Sequence, residues 1–196
     1  MLVFACLSPH PPLILPDVGS PTDRQKVKKT IESLELLGKK LAKTKPEVII
    51  ISSPHPDWGF NVPLHFLAKE VHGIEIKPYL TDFSSPQVHF ERGKKIISTL
   101  SSIKRLAWVA SGDMSHRLKQ DGPYGFHPSG PKFDQKFIKL LKEKDVEGIL
   151  KLPEDLIEEA GECGLRSFCL LLGALEASGV NWQPQILSYE GPFGVG

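Results

Sequence analysis

Cysteine is scarce in this sequence, with three residues, Cys6, Cys163 and Cys169, among 196. Three thiols cannot form the multiple disulfides on which small secreted domains depend, and an odd count is typical of a reducing compartment. The first residues also lack the basic start and the cleavage site of a secretory signal peptide. These absences predict a cytoplasmic protein.

An excess of charge and long apolar runs are missing as well. Lys and Arg number 24 against 23 Asp and Glu, so the formal net charge is +1. This balance predicts no nucleic-acid partner and no attachment to a membrane surface. No apolar run reaches the roughly 18 to 20 residues that a transmembrane helix needs. A hydrophobic fraction of 40% with 24% charged residues predicts one globular domain over residues 1–196.

The motifs of several common enzyme classes are also absent. The chain has no GxGxxG or GxxxxGKS/T, which excludes the usual phosphate-binding loops, and no GxSxG. It has no CxxC or HExxH either, which excludes the local metal-binding motifs of that kind.

Short apolar runs alternate with helical patterns along the sequence. Leu2–Leu7, Val48–Ser52 and Leu106–Ala110 are uninterrupted, which is typical of strands buried on both faces of a parallel sheet. Further strands are predicted at 62–67, 74–79 and 185–189. Helices are predicted at 21–41, 86–100, 132–144, 146–150, 154–159 and 165–177. This alternation predicts an α/β/α sandwich with a mostly parallel central sheet and a ligand site at the carboxyl ends of the strands.

The tetrapeptide Ser-Pro-His-Pro occurs twice, at 8–11 and 53–56, each time after an apolar strand. Ligands of open α/β sheets bind at the carboxyl ends of strands, and the prolines limit the freedom of each histidine. For a single histidine of this kind, a hydrogen bond inside a proline-rich turn is the more common explanation. The matched pair, His10 and His55, favours two ligands of one metal ion.

Candidates for a third ligand lie in the polar stretch at 160–164, directly before the predicted apolar helix at 165–177. Glu162 would complete the two-histidine, one-carboxylate face of non-haem Fe(II) oxygenases. Cys163 would instead give two histidines and a thiolate, which favour zinc or copper. Alternatively, Glu162 is only a charge stabilised at the N-terminus of that helix. Spacing alone leaves the three alternatives open.

The third strand is followed by SGDMSH, which contains Asp113 and His116. The ordinary pKa of histidine, about 6.5, suits His116 as a general acid–base beside a metal-bound substrate. Asp113 either orients His116 or is a turn residue beside a glycine. Ser115 and His127 are expected to line the same pocket.

These segments resemble the class III extradiol ring-cleavage dioxygenase superfamily, to which the catalytic subunits of protocatechuate 4,5-dioxygenases belong. The resemblance is carried by SPHPPLILPDVG, the second SPH, SGDMSH, GPYGFHPSGPKFD, AGECGLRSF and YEGPFGVG, which run from Leu2 to Gly196. The nearest likeness is to the small bacterial and archaeal branch found beside, or fused to, AmmeMemoRadiSam-type domains. A more distant likeness is to Memo-like proteins.

The resemblance implies a mononuclear metal, usually Fe(II), held by His10, His55 and Glu162, with His116 as the acid–base. In Memo-like proteins a cysteine occupies the third position, so Cys163 is the rival ligand and zinc or copper the alternative metals. The implied activity is an oxidoreductase reaction in which O₂ opens the ring of a catechol-type or aminophenol-type aromatic. A metal-binding protein without ring cleavage and a metal-dependent hydrolase are the alternatives. A homo-oligomer or an AmmeMemoRadiSam-type partner is expected.

The sequence departs from the superfamily after the second SPH. Members usually carry a long segment there that ends in His-Gly, whereas this chain has Trp58-Gly59 and then Val62-Pro63-Leu64. Trp58 is therefore expected to line the pocket. Because the segment that forms this wall of the pocket is short, we expect the metal to be more open to solvent, or the wall to be completed by a partner subunit. Members also continue as a strand beyond the position of Gly196.

Overall fold

A computed structural model describes residues 1–196. The strands are β1 (Leu2–Ser8), β2 (Val48–Ser53), β3 (Glu75–Leu80) and β4 (Leu106–Ser111). The helices are α1 (Pro21–Lys26), α2 (Lys28–Lys43), α3 (Asp57–Leu67), α4 (Pro86–Thr99), α5 (Ser129–Glu143), α6 (Val146–Leu150), α7 (Glu154–Ala160) and α8 (Leu165–Ser178). A 3-10 turn covers Pro12–Ile14. No helix combines the length and the apolar character needed to cross a membrane.

The four strands form one sheet in the order β1-β4-β2-β3, and every neighbouring pair is parallel. The predicted α/β sandwich is confirmed, with a sheet that is entirely parallel. All residues of β2 and β4 are buried, as their uninterrupted apolar runs predict. Because the strands run in one direction, their carboxyl ends all lie at the same end of the sheet.

Successive residues of β4 pack alternately into two different hydrophobic cores. Leu106, Trp108 and Ala110 of β4 belong to a cluster that includes residues of α5 and α8. Ala107 and Val109 point the other way, into a cluster with residues of α2 and α3. This is the two-residue period of a strand covered on both faces, and it places helices on both sides of the sheet.

Two helices on the same side of the sheet, α4 and α8, approach each other at glycines. A Cβ atom added at Gly93 would lie 1.9 Å from the carbonyl oxygen of Leu170. One added at Gly173 would lie 1.9 Å from the carbonyl oxygen of Phe90. Only glycine permits this separation of the two backbones.

Two predicted strands are wrong. Residues 62–67 lie inside α3, where Val62, Pro63, Phe66 and Leu67 form one buried face. A short apolar run fits a strand and a buried helix equally well, and packing selects the helix. Residues 185–189 have no regular secondary structure. The single helix predicted at 21–41 is divided at Val27, whose φ of −117° and ψ of 27° are not helical.

The other predicted elements are confirmed with small shifts at their ends. Residues 74–79 correspond to β3, and the predicted helices from 86 onwards correspond to α4, α5, α6, α7 and α8. Differences of one to three residues at helix ends are of the size that caps and frayed turns produce.

Candidate metal centre

The loops that follow β1, β2 and β4 meet at the end of the sheet where the strands have their carboxyl ends. The backbone N–H of Gly112, just after β4, donates to Ser8 O at 3.0 Å and ties this loop to the end of β1. The segment before α8 joins them, because Gly164 N–H donates to Asp113 O at 3.0 Å. Four distant parts of the chain thereby converge on one place.

The convergence brings together nitrogen and sulfur donors. Ligand atoms of His10, His55 and Cys163 all lie within 4.8 Å of one another. The imidazole centroids of His10 and His55 are 5.2 Å apart with the rings at 78°, and Cys163 Sγ is 3.6 Å from His10 Nε2. A second trio, formed by Asp113, His116 and Cys163, shares the thiol. Cys163 therefore lies where the two trios meet.

His10 is held in place from two sides. It is 5% exposed, its backbone N–H donates to Asp113 Oδ1 at 2.9 Å, and its Nδ1 lies 3.0 Å from Ser111 Oγ. Burial, and next the nearby His55, lower the pKa of His10 to about 4, so the imidazole is neutral at pH 7. In the tautomer whose Nδ1–H donates to Ser111 Oγ, the lone pair of Nε2 faces the thiol of Cys163.

The buried Asp113 and the partly buried His116 form a second pair of titratable groups. Burial raises the pKa of Asp113 to about 6, and its Oδ2 lies 4.0 Å from His116 Nε2. Burial also lowers the pKa of His116. His116 Nε2 is buried without a hydrogen-bond partner. An unpartnered buried nitrogen is costly, so this atom is available to a ligand.

The structure places Glu162 at the N-terminus of α8 and in neither donor trio. Its Oε2 accepts from Leu165 N–H at 2.6 Å, and its Oε1 lies 3.6 Å from Arg166 Nη1 without a hydrogen bond. The side chain is 1% exposed, and burial raises its pKa to about 7. Here the thiol of Cys163, and not the carboxylate, lies beside the two histidines.

The residues expected to line the pocket have different environments. Ser115 is fully buried and its hydroxyl donates to Ala160 O at 2.8 Å, so it supports the loop from inside. His127 Nδ1 lies 3.8 Å from Glu159 Oε2. Trp58 lies in the first turn of α3, close in sequence to the exposed His55, and is 48% exposed. Of the three, only Trp58 is both close in sequence to a donor and largely exposed.

Sequence reasoning missed Tyr124. Its ring stacks on that of His116, with centroids 4.9 Å apart and planes at 29°, although Tyr124 is 60% exposed. The loop is fixed by Gly125, whose φ is +71°, and by a bond from His127 N–H to Arg117 O at 3.1 Å. Tyr124 lies in GPYGFHPSGPKFD, one of the segments that carry the resemblance. No local sequence pattern indicates that its ring would stack on His116.

Residues 53–196 match the family described as the catalytic LigB subunit of aromatic ring-opening dioxygenase. Protein CA_C1420 of Clostridium acetobutylicum is 30% identical over 261 aligned positions, which cover 97% of this chain and 55% of that protein. The chain thus spans about half the length of this relative. The alignment is also longer than the 196 residues of the chain, so the relative contains polypeptide in the aligned region that this chain lacks.

A crystal structure of an uncharacterized protein from Escherichia coli K12, JW3007, shows a weak similarity with a TM-score of 0.39 and 17% identity. The superposition covers 74% of this chain and 82% of that one. The family match, by contrast, extends over most of the sequence and includes His55, Asp113, His116 and Cys163. The chain therefore belongs to the family of catalytic LigB subunits of aromatic ring-opening dioxygenases.

Proposed function

We propose that this protein is a metal-dependent oxidoreductase that opens the ring of a catechol-type or aminophenol-type aromatic with O₂. The observation that carries the proposal is the meeting of His10, His55 and Cys163 within 4.8 Å at the edge of the sheet. The Asp113–His116 pair lies directly beside them. Metal donors next to a group able to move protons are what such a reaction requires.

The donor set fits a metal ion. The neutral imidazole of His10 offers Nε2 as a lone-pair donor, while Ser111 occupies the other ring nitrogen, as is usual for metal-bound histidine. Burial raises the pKa of the Cys163 thiol, so a cation is needed to hold it as the thiolate. A bound ion would act as a Lewis acid toward the hydroxyl groups of the substrate. Two imidazoles with a thiolate suit zinc or copper, whereas Fe(II) would be favoured by a carboxylate.

His116 is suited to accept the proton of a substrate hydroxyl. Its lowered pKa keeps the imidazole neutral at pH 7, and its Nε2 has no other hydrogen-bond partner. The carboxylate of Asp113, 4.0 Å away, stabilises the imidazolium that results. Tyr124 stacks on one face of the ring. His116 is thus the proposed acid–base, with Asp113 in support.

The approach to the site is from the side of His55. His55 is exposed although its ring contacts that of the buried His10. Trp58, three residues further on, is half exposed and offers an aromatic surface at the entrance. A planar aromatic substrate could stack there, so we assign Trp58 to the entrance of the pocket. Ser115 and His127 are left with structural roles in this proposal.

A second candidate function is favoured by the position of Cys163. A thiol at the third donor position, with Glu162 bound to the N-terminus of α8, also suits a metal-binding protein that does not cleave rings. Such a protein would hold zinc or copper and consume no O₂ with aromatic substrates. Metal content and oxygen uptake separate the two functions.

The ligand assignment is tested by elemental analysis of anaerobically purified protein. We expect near-stoichiometric metal in the wild type and its loss in His10→Ala and Cys163→Ala. Glu162→Ala should retain the metal, as should Cys169→Ala, a matched control at a buried cysteine of α8 outside both donor trios. Metal that disappears with Glu162→Ala and survives Cys163→Ala would show that the carboxylate is the third ligand.

The activity is tested by oxygen uptake of the metal-loaded protein with catechol, protocatechuate and 2-aminophenol. We expect His116→Ala to retain the metal and to lose turnover by about 10²- to 10⁴-fold, the usual contribution of a general acid–base. If the metal-loaded wild type consumes no O₂ with any of these aromatics, the second candidate function becomes the better account.

A further inference from the structure

The loop after β4 carries the proposed acid–base, and each of its backbone N–H groups from 113 to 118 is hydrogen bonded. The N–H groups of residues 114, 116 and 118 donate to the carbonyl oxygens of Gly196, Ala160 and Gly194. Those of residues 113, 115 and 117 donate to the side chains of Cys163, Asp134 and Ser115. A loop without helix or strand pairing is thereby fixed by partners from several parts of the chain.

Asp134 is the unusual member of this set of partners. It lies on α5 and is 1% exposed. Burial raises its pKa, and the two groups that oppose this effect, Tyr189 O–H and Ser115 N–H, are uncharged donors. A buried carboxylate without a cation costs stability, and an apolar residue would fill the same place at a lower cost. The presence of this carboxylate therefore indicates a task other than stability.

The two oxygens of the Asp134 carboxylate hold two different segments. Oδ1 accepts from Ser115 N–H at 2.8 Å, one residue before His116. Oδ2 accepts from the hydroxyl of Tyr189. Tyr189 belongs to residues 181–190, none of which makes a backbone–backbone hydrogen bond, so side-chain contacts fix this segment. Asp134 thus connects the loop of the acid–base to the segment that follows α8.

We propose that Asp134 is a positioning residue that holds His116 in the orientation needed for proton transfer, an inference that rests on the proposed function. Asp134 belongs to neither donor trio, and its hydrogen bonds go to Ser115 and Tyr189, so it acts on His116 through the backbone. Ser115 stands between Asp113 and His116, whose Oδ2 and Nε2 atoms are 4.0 Å apart. A misplacement of about 1 Å at such a site can lower a rate by about 100-fold.

Three substitutions remove these hydrogen bonds in steps. Asp134→Ala removes both acceptors and leaves the N–H of the buried Ser115 without a partner. Asp134→Asn keeps an acceptor for this N–H and turns its amide nitrogen toward the Tyr189 oxygen, which can accept a hydrogen bond. Tyr189→Phe removes only the bond at Oδ2.

The first experiment measures oxygen uptake of the metal-loaded variants with catechol, protocatechuate and 2-aminophenol. We expect Asp134→Ala to lower kcat by about 10- to 100-fold while KM and the metal content stay unchanged. Asp134→Asn should restore most of the lost kcat. The matched control is Leu141→Ala, which truncates a buried residue about two turns further along α5 and takes no part in the hydrogen bonds of the loop. It should lower stability and leave kcat unchanged.

The second experiment tests the same inference without the proposed activity. In the wild type His116 Nε2 is buried. Asp134→Ala should therefore accelerate the modification of His116 by diethyl pyrocarbonate in the metal-loaded protein, whereas Asp134→Asn and Leu141→Ala should match the wild type. This measurement is decisive even if the wild type opens none of the three aromatic rings. Failure of the proposed function and failure of the positioning role are thus distinguishable.

Four outcomes would overturn the inference. In Asp134→Ala, kcat and the modification rate could both equal those of the wild type, or the metal could be lost, which would show support of the donor set instead. Asp134→Asn could be as impaired as Asp134→Ala, or Leu141→Ala could lose kcat equally, which would show a general effect of stability. If Asp134→Ala does not fold, Tyr189→Phe, at a residue 44% exposed, decides: the inference requires a lower kcat or a faster modification than in the wild type.

Discussion

Replacing Glu162 by glutamine is expected to remove a pH-dependent part of the stability. Burial raises the pKa of Glu162 to about 7, whereas an unfolded chain gives an ordinary value of about 4.5. Between these values the folded protein binds a proton that the unfolded chain does not. The free energy of unfolding therefore falls as pH rises, by about 1.4 kcal/mol per unit, and is constant above pH 7. Over the whole interval the change amounts to about 3 kcal/mol.

The assay is urea unfolding of metal-free wild type and Glu162→Gln at pH 4.5 and pH 7.5. The amide of glutamine still offers an oxygen to Leu165 N–H, so the start of α8 is preserved. His10 and Asp113 also titrate in this range, but they are common to both proteins and cancel in the difference. We expect the wild type to lose about 3 kcal/mol relative to the variant on going from pH 4.5 to 7.5. A difference that does not change with pH would refute the assignment of a buried, protonated Glu162.

Three further substitutions probe the site and the core. Ser111→Ala removes the partner of the His10 ring and should weaken metal binding about 10- to 100-fold in a chelator competition; unchanged affinity would show that the serine does not orient the ring. Gly93→Ala forces a Cβ into a backbone carbonyl of α8 and should lower the free energy of unfolding by about 1–3 kcal/mol in urea denaturation. Tyr124→Ala uncovers His116 and should accelerate its modification by diethyl pyrocarbonate, followed by peptide mass spectrometry, whereas Tyr124→Phe should match the wild type.

The sequence predicted those parts of the structure that are specified locally. Uninterrupted apolar runs marked β1, β2 and β4, because a strand buried on both faces needs apolar residues at every position. The positions of His10 and His55 followed from the same runs, since each histidine comes directly after a strand end. Parallel pairing then brings these ends together without further information.

The rest depends on contacts between distant residues. Glu162 and Cys163 are neighbours, and which of them faces the histidines is decided by the start of α8, where Leu165 N–H binds the carboxylate. The apolar run at 62–67 became a helix because its buried face packs beneath α2. Neither result is encoded in a periodicity of the sequence, and the stack of Tyr124 on His116 is likewise a contact between separate loops.

The order of the strands also has a consequence for how the protein is made. β1 is the first strand of the chain, yet its one partner, β4, begins at Leu106. At about 5–20 residues per second, ribosomal synthesis of β4 follows that of β1 after roughly 5 to 20 s, and during this time the apolar β1 has no partner strand. Cys163 appears later still, so the full donor set exists only when most of the chain has emerged. A metal ion held by the proposed donors would therefore act on the assembled sheet and not as the nucleus on which the nascent chain folds.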